Sequence, residues 1–273
     1  VNGKKYAFDD EGKMLYGWVS SDNAERIDNT DDDAFKDGVY YFGGEDDGAM
    51  TTGWLLIDVS YDEATNDDYK YTAPTFNDDD DQTRWFYFKS NGKKLYADNG
   101  ERTKDKTING KKYAFDEYGA MVAEWSLDED DEKKASDTEA QEAASTASTS
   151  EAWEGNGKYA KYTQAWKYYN SVEDGSRVSK GWFKVVAPTE DNSFLESDAT
   201  FAKKDSDDES ERWYYSDSKD EGLVVGEIKK IKGKYYGFWP DDGQKGGRML
   251  IGLCALEMNK EDGSKIDKVI MAD

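Results

Sequence analysis

Ten aromatic side chains are the residues of this chain best suited to recognising another molecule. They are Trp18, Trp54, Trp85, Trp125, Trp182 and Trp213, with Tyr40, Tyr87, Tyr168 and Tyr215. Trp18, Trp54 and Trp182 each follow a glycine, Trp125 follows Glu124, and Trp85 and Trp213 each follow an arginine. An exposed flat ring suits the apolar face of a sugar, so ligand platforms are one reading of the pattern. The other is structural. An aromatic ring buries about 150–250 Å², and rings that recur with a repeat can form the core between repeat units. Both readings stand on the sequence alone.

The elements that must position these rings are short strands. In Asn2-Gly3-Lys4-Lys5-Tyr6-Ala7-Phe8, Tyr6 and Phe8 alternate with Lys5 and Ala7, the period of a β-strand. Asp9-Asp10-Glu11-Gly12 is turn chemistry, and Met14, Tyr16 and Trp18 alternate again on a return strand. The stretch predicts one small β-hairpin. A lone two-stranded hairpin is marginal in water, so it implies copies that stack. Copies are present at Tyr40 to Trp54, Trp85 to Lys93, Asn109 to Trp125, Tyr168 to Trp182, Trp213 to Gly222, and Gly233 to Met249.

A longer period lies above the short one. Tyr40 and Tyr168, Gly53-Trp54 and Gly181-Trp182, and Arg84-Trp85 and Arg212-Trp213 are each 128 residues apart, as are Met121 and Met249. Ile108 to Lys111 matches Ile231 to Lys234 at an offset of 123. The reading is an all-β chain of stacked β-hairpin repeats forming a solenoid, with two copies of a larger duplicated unit joined by a low-complexity linker. The expected divisions are residues 1–125 as an N-terminal hairpin array, 126–157 as an acidic Ala/Ser/Thr-rich linker, and 158–273 as a C-terminal array closed by a capping hairpin around Glu261-Asp262-Gly263-Ser264. Ser126 with Glu129 fits a capping box, so the linker is read either as a helix over 127–144 or as a tether.

Composition narrows the chemistry. The 273 residues carry a formal net charge of −24, which disfavours DNA, RNA and anionic membrane surfaces as partners. There is no His, which removes the commonest general base and the usual zinc ligand. Cys254, the single cysteine, lies in the apolar run Leu250 to Leu256 and reads as a small buried hydrophobe. No apolar run is long enough for a membrane-spanning helix, and no signal peptide is read. The chain opens in mid-pattern, as a mature protein or an excised fragment would. Nine Trp and nineteen Tyr in a chain poor in aliphatic residues argue against disorder and for a core built from rings.

Asn77-Asp78-Asp79-Asp80-Asp81 and Lys204-Asp205-Ser206-Asp207-Asp208-Glu209 read as solvated loops. Weak Ca²⁺ binding there is the alternative, since carboxylates suit that ion, and no other cofactor or metal is expected. With sixty acidic residues, some neighbouring carboxylate pair is unavoidable and carries no catalytic signal. No nucleophile motif, phosphate loop or metal-ligand spacing is present, so the chain is read as not an enzyme.

The pattern Asn-Gly-Lys-Lys-Tyr-Ala-Phe-Asp…Gly-Lys-Met…Gly-Trp resembles the cell-wall-binding repeats of Gram-positive bacteria. That group includes choline-binding modules, glucan-binding repeats of glucosyltransferases and receptor-binding repeats of clostridial toxins. The resemblance covers most of the chain outside the linker and the acidic insertions. It implies hairpins stacked in a solenoid on a secreted or cell wall-associated protein. In the choline-binding branch, the Gly-Trp of one hairpin and aromatics of its neighbours cage a quaternary ammonium by cation–π attraction. By position those tryptophans are Trp18, Trp54 and Trp182, with Trp125 after Glu124. The first aromatic of the Trp-Tyr-Tyr-Phe motif is Trp85 and Trp213, and other repeats place Lys5, Val39, Lys112, Lys167 and Tyr235 there.

The function expected is therefore a non-catalytic surface or secreted module that binds a cell-wall polymer or extracellular glycan through aromatic platforms, several weak sites acting by avidity. Three alternatives stand beside it. One is a structural spacer or protein-binding repeat that uses the acidic insertions. Another is a choline-binding anchor to teichoic acid. The last is the targeting part of a larger enzyme. The sequence leaves the oligomeric state open.

Overall fold

The computed structural model describes residues 1–20, 34–59, 82–97, 104–116, 118–127, 166–186, 211–217, 222–240 and 246–272. Nearly all regular structure there is β, in small antiparallel sheets. β1 (Gly17–Val19) pairs with β2 (Tyr40–Phe42), and the single-turn helix α1 (Ala34–Asp37) precedes β2. β3 (Gly53–Val59) pairs with β4 (Gln82–Phe88), and β5 (Lys104–Ile108) with β6 (Lys111–Phe115). β7 (Glu124–Leu127) pairs with β8 (Trp166–Tyr169). β9 (Gly181–Val186) and β10 (Glu211–Asp217) pair, and β11 (Gly222–Leu223) extends their sheet. β12 (Ile228–Ile231) pairs with β13 (Lys234–Gly237), and β14 (Cys254–Met258) with β15 (Ile266–Ala272).

The pairing corrects the hairpin expected from the sequence. Tyr6–Phe8 and Met14–Trp18 do not form one continuous hairpin. The Phe8↔Met14 bridge joins them, with the Leu15 amide donating to Ala7 and that of Asp9 to Lys13, around a turn in which Asp9 Oδ1 accepts the Glu11 and Lys13 amides. The Gly-Trp strand instead pairs forward, onto the aromatic strand of the following repeat: Trp18↔Tyr41, Trp54↔Tyr87, Trp125↔Tyr168 and Trp182↔Tyr215. The cause is backbone geometry. Gly17, Gly53 and Gly181 sit at φ of 69°, 82° and 103°, and the chain bends there off its own partner. Glu124 takes the same place at φ 57°, a conformation a non-glycine residue rarely adopts.

In this register the insertions separate paired strands. Residues 60–81 lie between β3 and β4, 187–210 between β9 and β10, and 128–165 between β7 and β8. The expected linker thus falls inside a strand pair, with Ser126 already in β7. The helix expected over 127–144 and both acidic stretches considered for Ca²⁺ lie outside the described residues. Among the described residues, no group of three or more Cys, Asp and Glu is arranged to hold a metal ion. No described helix is long and apolar enough to cross a membrane.

Each repeat is also tied to the one before it. The Met50 amide donates to the Lys5 carbonyl, Lys94 to Val39, Met121 to Trp85, Arg177 to Lys112, and Met249 to Trp213, all at 2.8 Å. Between these ties lie the aromatic clusters. Trp18, Phe35, Phe86 and Phe88 form one, Tyr113, Phe115 and Met121 another with Trp54 and Trp85 against it, and Phe238 a third with Trp182 and Tyr236. The closing hairpin is present as β14–β15. Cys254 is half-buried there, between exposed Leu253 and half-buried Ala255, and is not the sealed core residue the apolar run suggested. No further hairpin among the described residues covers that face.

Candidate ligand-binding site

Strand register brings the first ring set together. Trp85 and Tyr87 share a face of β4 because side chains alternate, and Trp54 lies directly across from Tyr87. Tyr113 and Phe115 share a face of β6 and pack on Trp54 from the next hairpin. The Trp54 ring stands 6.0 Å from Trp85 at 83°, 5.2 Å from Tyr87 at 73° and 5.0 Å from Tyr113 at 70°. Met121, held by its amide bond to the Trp85 carbonyl, closes the base. The result is an open cavity of about 210 Å³ lined by Trp54, Trp85, Tyr113, Met121, Glu173 and Asp174.

The two acids come from a third hairpin. The turn after β8 carries them, closed by Asp174 and Gly175 amide bonds to the Ser171 carbonyl at 3.0 and 2.7 Å. Gly175, at φ 58°, is what lets that turn lie over the cage, since a Cβ there would overlap the Met121 sulfur. For Asp174, burial works to raise the carboxyl pKa. Lys111 at 3.0 Å, Ser176 at 2.8 Å and Asn170 at 3.0 Å outweigh it and hold the group below the usual carboxylate range. Asp174 is therefore ionised near neutral pH, with its charge paired to the Lys111 ammonium.

The same four positions can be followed along the chain through the amide ties. At the β9–β10 hairpin they hold Trp182, Trp213, Tyr236 and Met249. Trp182 lies 6.2 Å from Trp213 at 89° and 4.9 Å from Tyr236 at 68°, nearly the geometry around Trp54. Phe238 repeats Phe115, at 5.8 Å and 31° from Trp182 against 5.7 Å and 38° from Trp54. At the β5–β6 hairpin the four are Asp105, Lys112, Lys167 and Arg177. There Asp105 lies 3.8 Å from Lys167 and 3.7 Å from Arg177, so an ion-pair cluster stands where the cage would be. At the β1–β2 hairpin they are Trp18, Val39, Phe86 and Lys94.

That last joint is closed. Trp18 is 4% exposed, with Phe86 at 5.4 Å and 75° and Phe88 at 5.9 Å and 36°. The buried Lys94 ammonium lies 5.1 Å from the Trp18 ring centre and donates to the carbonyls of Phe35 and Lys36 in α1. Burial lowers Lys94 to about 7, while the charges of Asp116 and Asp37 pull the other way. The unfolded chain then holds a proton that the folded chain releases between about pH 7 and 10.5, so this group raises stability with rising pH in that window. Urea unfolding of the wild type is expected to shift to higher midpoint between pH 7 and 9, and Lys94→Met is expected to lose that shift.

Of the ten rings proposed from the sequence, Trp54, Trp85 and Tyr87 meet in the first cage, and Trp182, Trp213 and Tyr215 meet in the second. Trp18 sits in the closed joint. Tyr40 faces away from it, into a cluster with Leu15, Val19 and Phe42. Tyr168 stacks on Phe183 at 5.1 Å, and burial pushes its hydroxyl pKa upward. Trp125 pairs with Tyr168 in the strand register, and its side chain lies outside the described residues. The register also replaces Lys167 by Trp166 as the counterpart of Trp85, since Glu124↔Tyr169 matches Gly53↔Phe88. Sequence reasoning missed Tyr113, Met121, Glu173 and Asp174. The signal for Met121 was present in its 128-residue spacing from Met249.

No protein-family model matches the chain, and no curated protein is similar to it at a significant level. Solved structures are similar over nearly its whole length. CbpJ from Streptococcus pneumoniae aligns at 16% identity over 97% of this chain and 78% of its own, with a TM-score of 0.28. Choline binding protein F from the same species aligns at 16% identity over 98% and 91%, with a TM-score of 0.27. The modular autolysin LytC, also from that species, solved with a synthetic peptidoglycan ligand, aligns at 15% identity and a TM-score of 0.34. The chain covers 97% of its own length in that alignment but spans only 45% of LytC.

Proposed function

We propose that this chain is a non-catalytic, extracellular cell-wall-binding module that holds quaternary ammonium groups in aromatic cages between hairpins. The observation that carries this is the Trp54 cavity. Its rings stand steeply to one another around a thioether, with two carboxylates at the mouth. Steep rings enclose a rounded cation from several sides and present it their negative faces. A sugar asks for something else, one open flat ring with polar groups at its rim. In the choline-binding branch of the repeats that the sequence resembles, the ammonium is choline carried by a wall polymer, and that is the ligand proposed.

Ring contacts recurring around Trp54 and Trp182 support the proposed duplication, and the amide ties from each repeat to the one before support a solenoid. The Trp54 cage takes its rings and Met121 from residues 1–125 and its two carboxylates from 158–273, while the rings around Trp182 all come from 158–273. Two weak sites on one chain reach useful retention through avidity on a polymer that displays many ligands.

Three cation–π contacts at about 0.5–2 kcal/mol each total ~4 kcal/mol, which corresponds to a Kd of ~1 mM. Calorimetric titration with choline is expected to give a value near that, with binding of the neutral isostere 3,3-dimethylbutan-1-ol at least about tenfold weaker. Equal binding of the two, or no heat with either, would refute the cage. Glu173→Gln is expected to weaken choline binding by about two- to fivefold at low salt, and the difference should vanish near 1 M NaCl, where the Debye length is ~3 Å.

A glycan platform is the second reading, favoured at one place. Trp213 is 43% exposed and Tyr235 69% exposed, so the second array offers flat rings to solvent. Retention on a wall polysaccharide that free choline does not compete away would select this reading.

A further inference from the structure

We propose that the first joint is an ammonium site filled from within the chain: Lys94 supplies the cation that an outside ligand supplies at the Trp54 cage, and it closes this joint to ligand. The proposal rests on the reading of the Trp54 cavity as an ammonium cage.

Three independent observations put Lys94 in the place of Met121. Its amide donates to Val39 as that of Met121 donates to Trp85. It bridges Phe88 as Met121 bridges Phe115. Its stem lies under Gly119 as Met121 lies under Gly175, each glycine so close that a Cβ would overlap the side chain beneath. The rings around it match as well, since Trp18 meets Phe86 and Phe88 at nearly the angles at which Trp54 meets Tyr113 and Phe115.

The difference lies in what the position carries. A methionine ends in an apolar thioether and leaves the cage empty in its middle. A lysine carries its own ammonium to the Trp18 face, 5.1 Å from the ring centre. Two backbone carbonyls of α1 accept hydrogen bonds from it, which also fixes α1 over the joint. Phe35 of that helix then seals the fourth side, 6.2 Å from Phe86. The π face and the two oxygens offset part of the cost of burying this donor. The joint is built as a binding site and occupied by design of the sequence at one position.

Chemical rescue in the full chain at pH 6 tests this. Lys94→Ala removes the cation and leaves its space. Its Tm is expected to fall, and methylammonium or tetramethylammonium chloride is expected to raise it again by about 2–4 °C more than either salt raises the wild type. The neutral analogue tert-butanol should not do so. Equal rescue by tert-butanol, or no rescue of a folded variant, overturns the proposal. Should Lys94→Ala not fold, Lys94→Met carries the test, because it restores the residue type of the open cages. It is expected to add one equivalent of tetramethylammonium to the calorimetric stoichiometry, and a folded variant with no added equivalent refutes the idea. Failure of the functional reading would look different: the wild type would take up no tetramethylammonium, while the rescue of Lys94→Ala would still be read.

Discussion

Trp54→Ala is expected to remove the cavity at Trp54 and to leave the matching ring cluster at Trp182 intact. Trp54 touches four rings, Trp85, Tyr87, Tyr113 and Phe115, which come from two hairpins. Truncation removes the cation–π wall and the packing that orients the other rings. On the proposed function, choline binding there should fall beyond measurement, so calorimetric stoichiometry should drop by one. The second site should keep its affinity within about twofold, because repeats contact chiefly their neighbours. Stability should fall by about 3–5 kcal/mol, the usual cost of deleting a large aromatic from a packed position, with half-burial placing it toward the lower figure. A variant that loses both sites together would show that the arrays are coupled, and one that keeps both would show that Trp54 is not a cage wall.

Phe86→Ala should give the largest loss of stability with the least direct effect on ligand. Phe86 is fully buried, 5.4 Å from Trp18 and 6.2 Å from Phe35, on the opposite face of β4 from Trp85 and Tyr87. Its removal leaves a cavity at the first joint, beside the buried Lys94 ammonium, and admits water there. About 3–5 kcal/mol is expected from urea unfolding, a large share of the roughly 5–15 kcal/mol that holds a typical domain. The Trp18 emission should shift to the red as its burial is lost, and choline affinity at the Trp182 cage should not change. A loss under about 1 kcal/mol would mean that the joint collapses around the gap and that its packing is less specific than the ring geometry indicates.

Much of the local structure was legible in the sequence. The repeat copies at Tyr40-Tyr41-Phe42, Trp85-Phe86-Tyr87-Phe88 and Lys111-Lys112-Tyr113-Ala114-Phe115 read as strands, and each is one. The turn signal at Asp9 is also met, with its side chain accepting the Glu11 and Lys13 amides, and Asn91 and Asp116 do the same in their own turns. The pairing was not legible. An alternating strand shows which side chains share a face but not which partner lies alongside. The nearer partner was the natural choice, and the glycine bends at Gly17, Gly53 and Gly181 sent the Gly-Trp strands to the farther one.

The sequence by itself determined the material of this protein: a β-chain of repeats, cored by rings, strongly acidic and without histidine. Those properties follow from residue type and from a period of two, and both are local. Tertiary structure decided what each joint can hold. Four positions far apart in the chain converge at each joint followed above, and their contents differ: Trp54, Trp85, Tyr113 and Met121 enclose a cavity, Asp105 pairs with both Lys167 and Arg177, and Lys94 fills its own cage. None of those residues carries its role in its immediate surroundings, because each role is a relation between side chains that only strand pairing across long insertions, and stacking of one hairpin on the next, bring within contact.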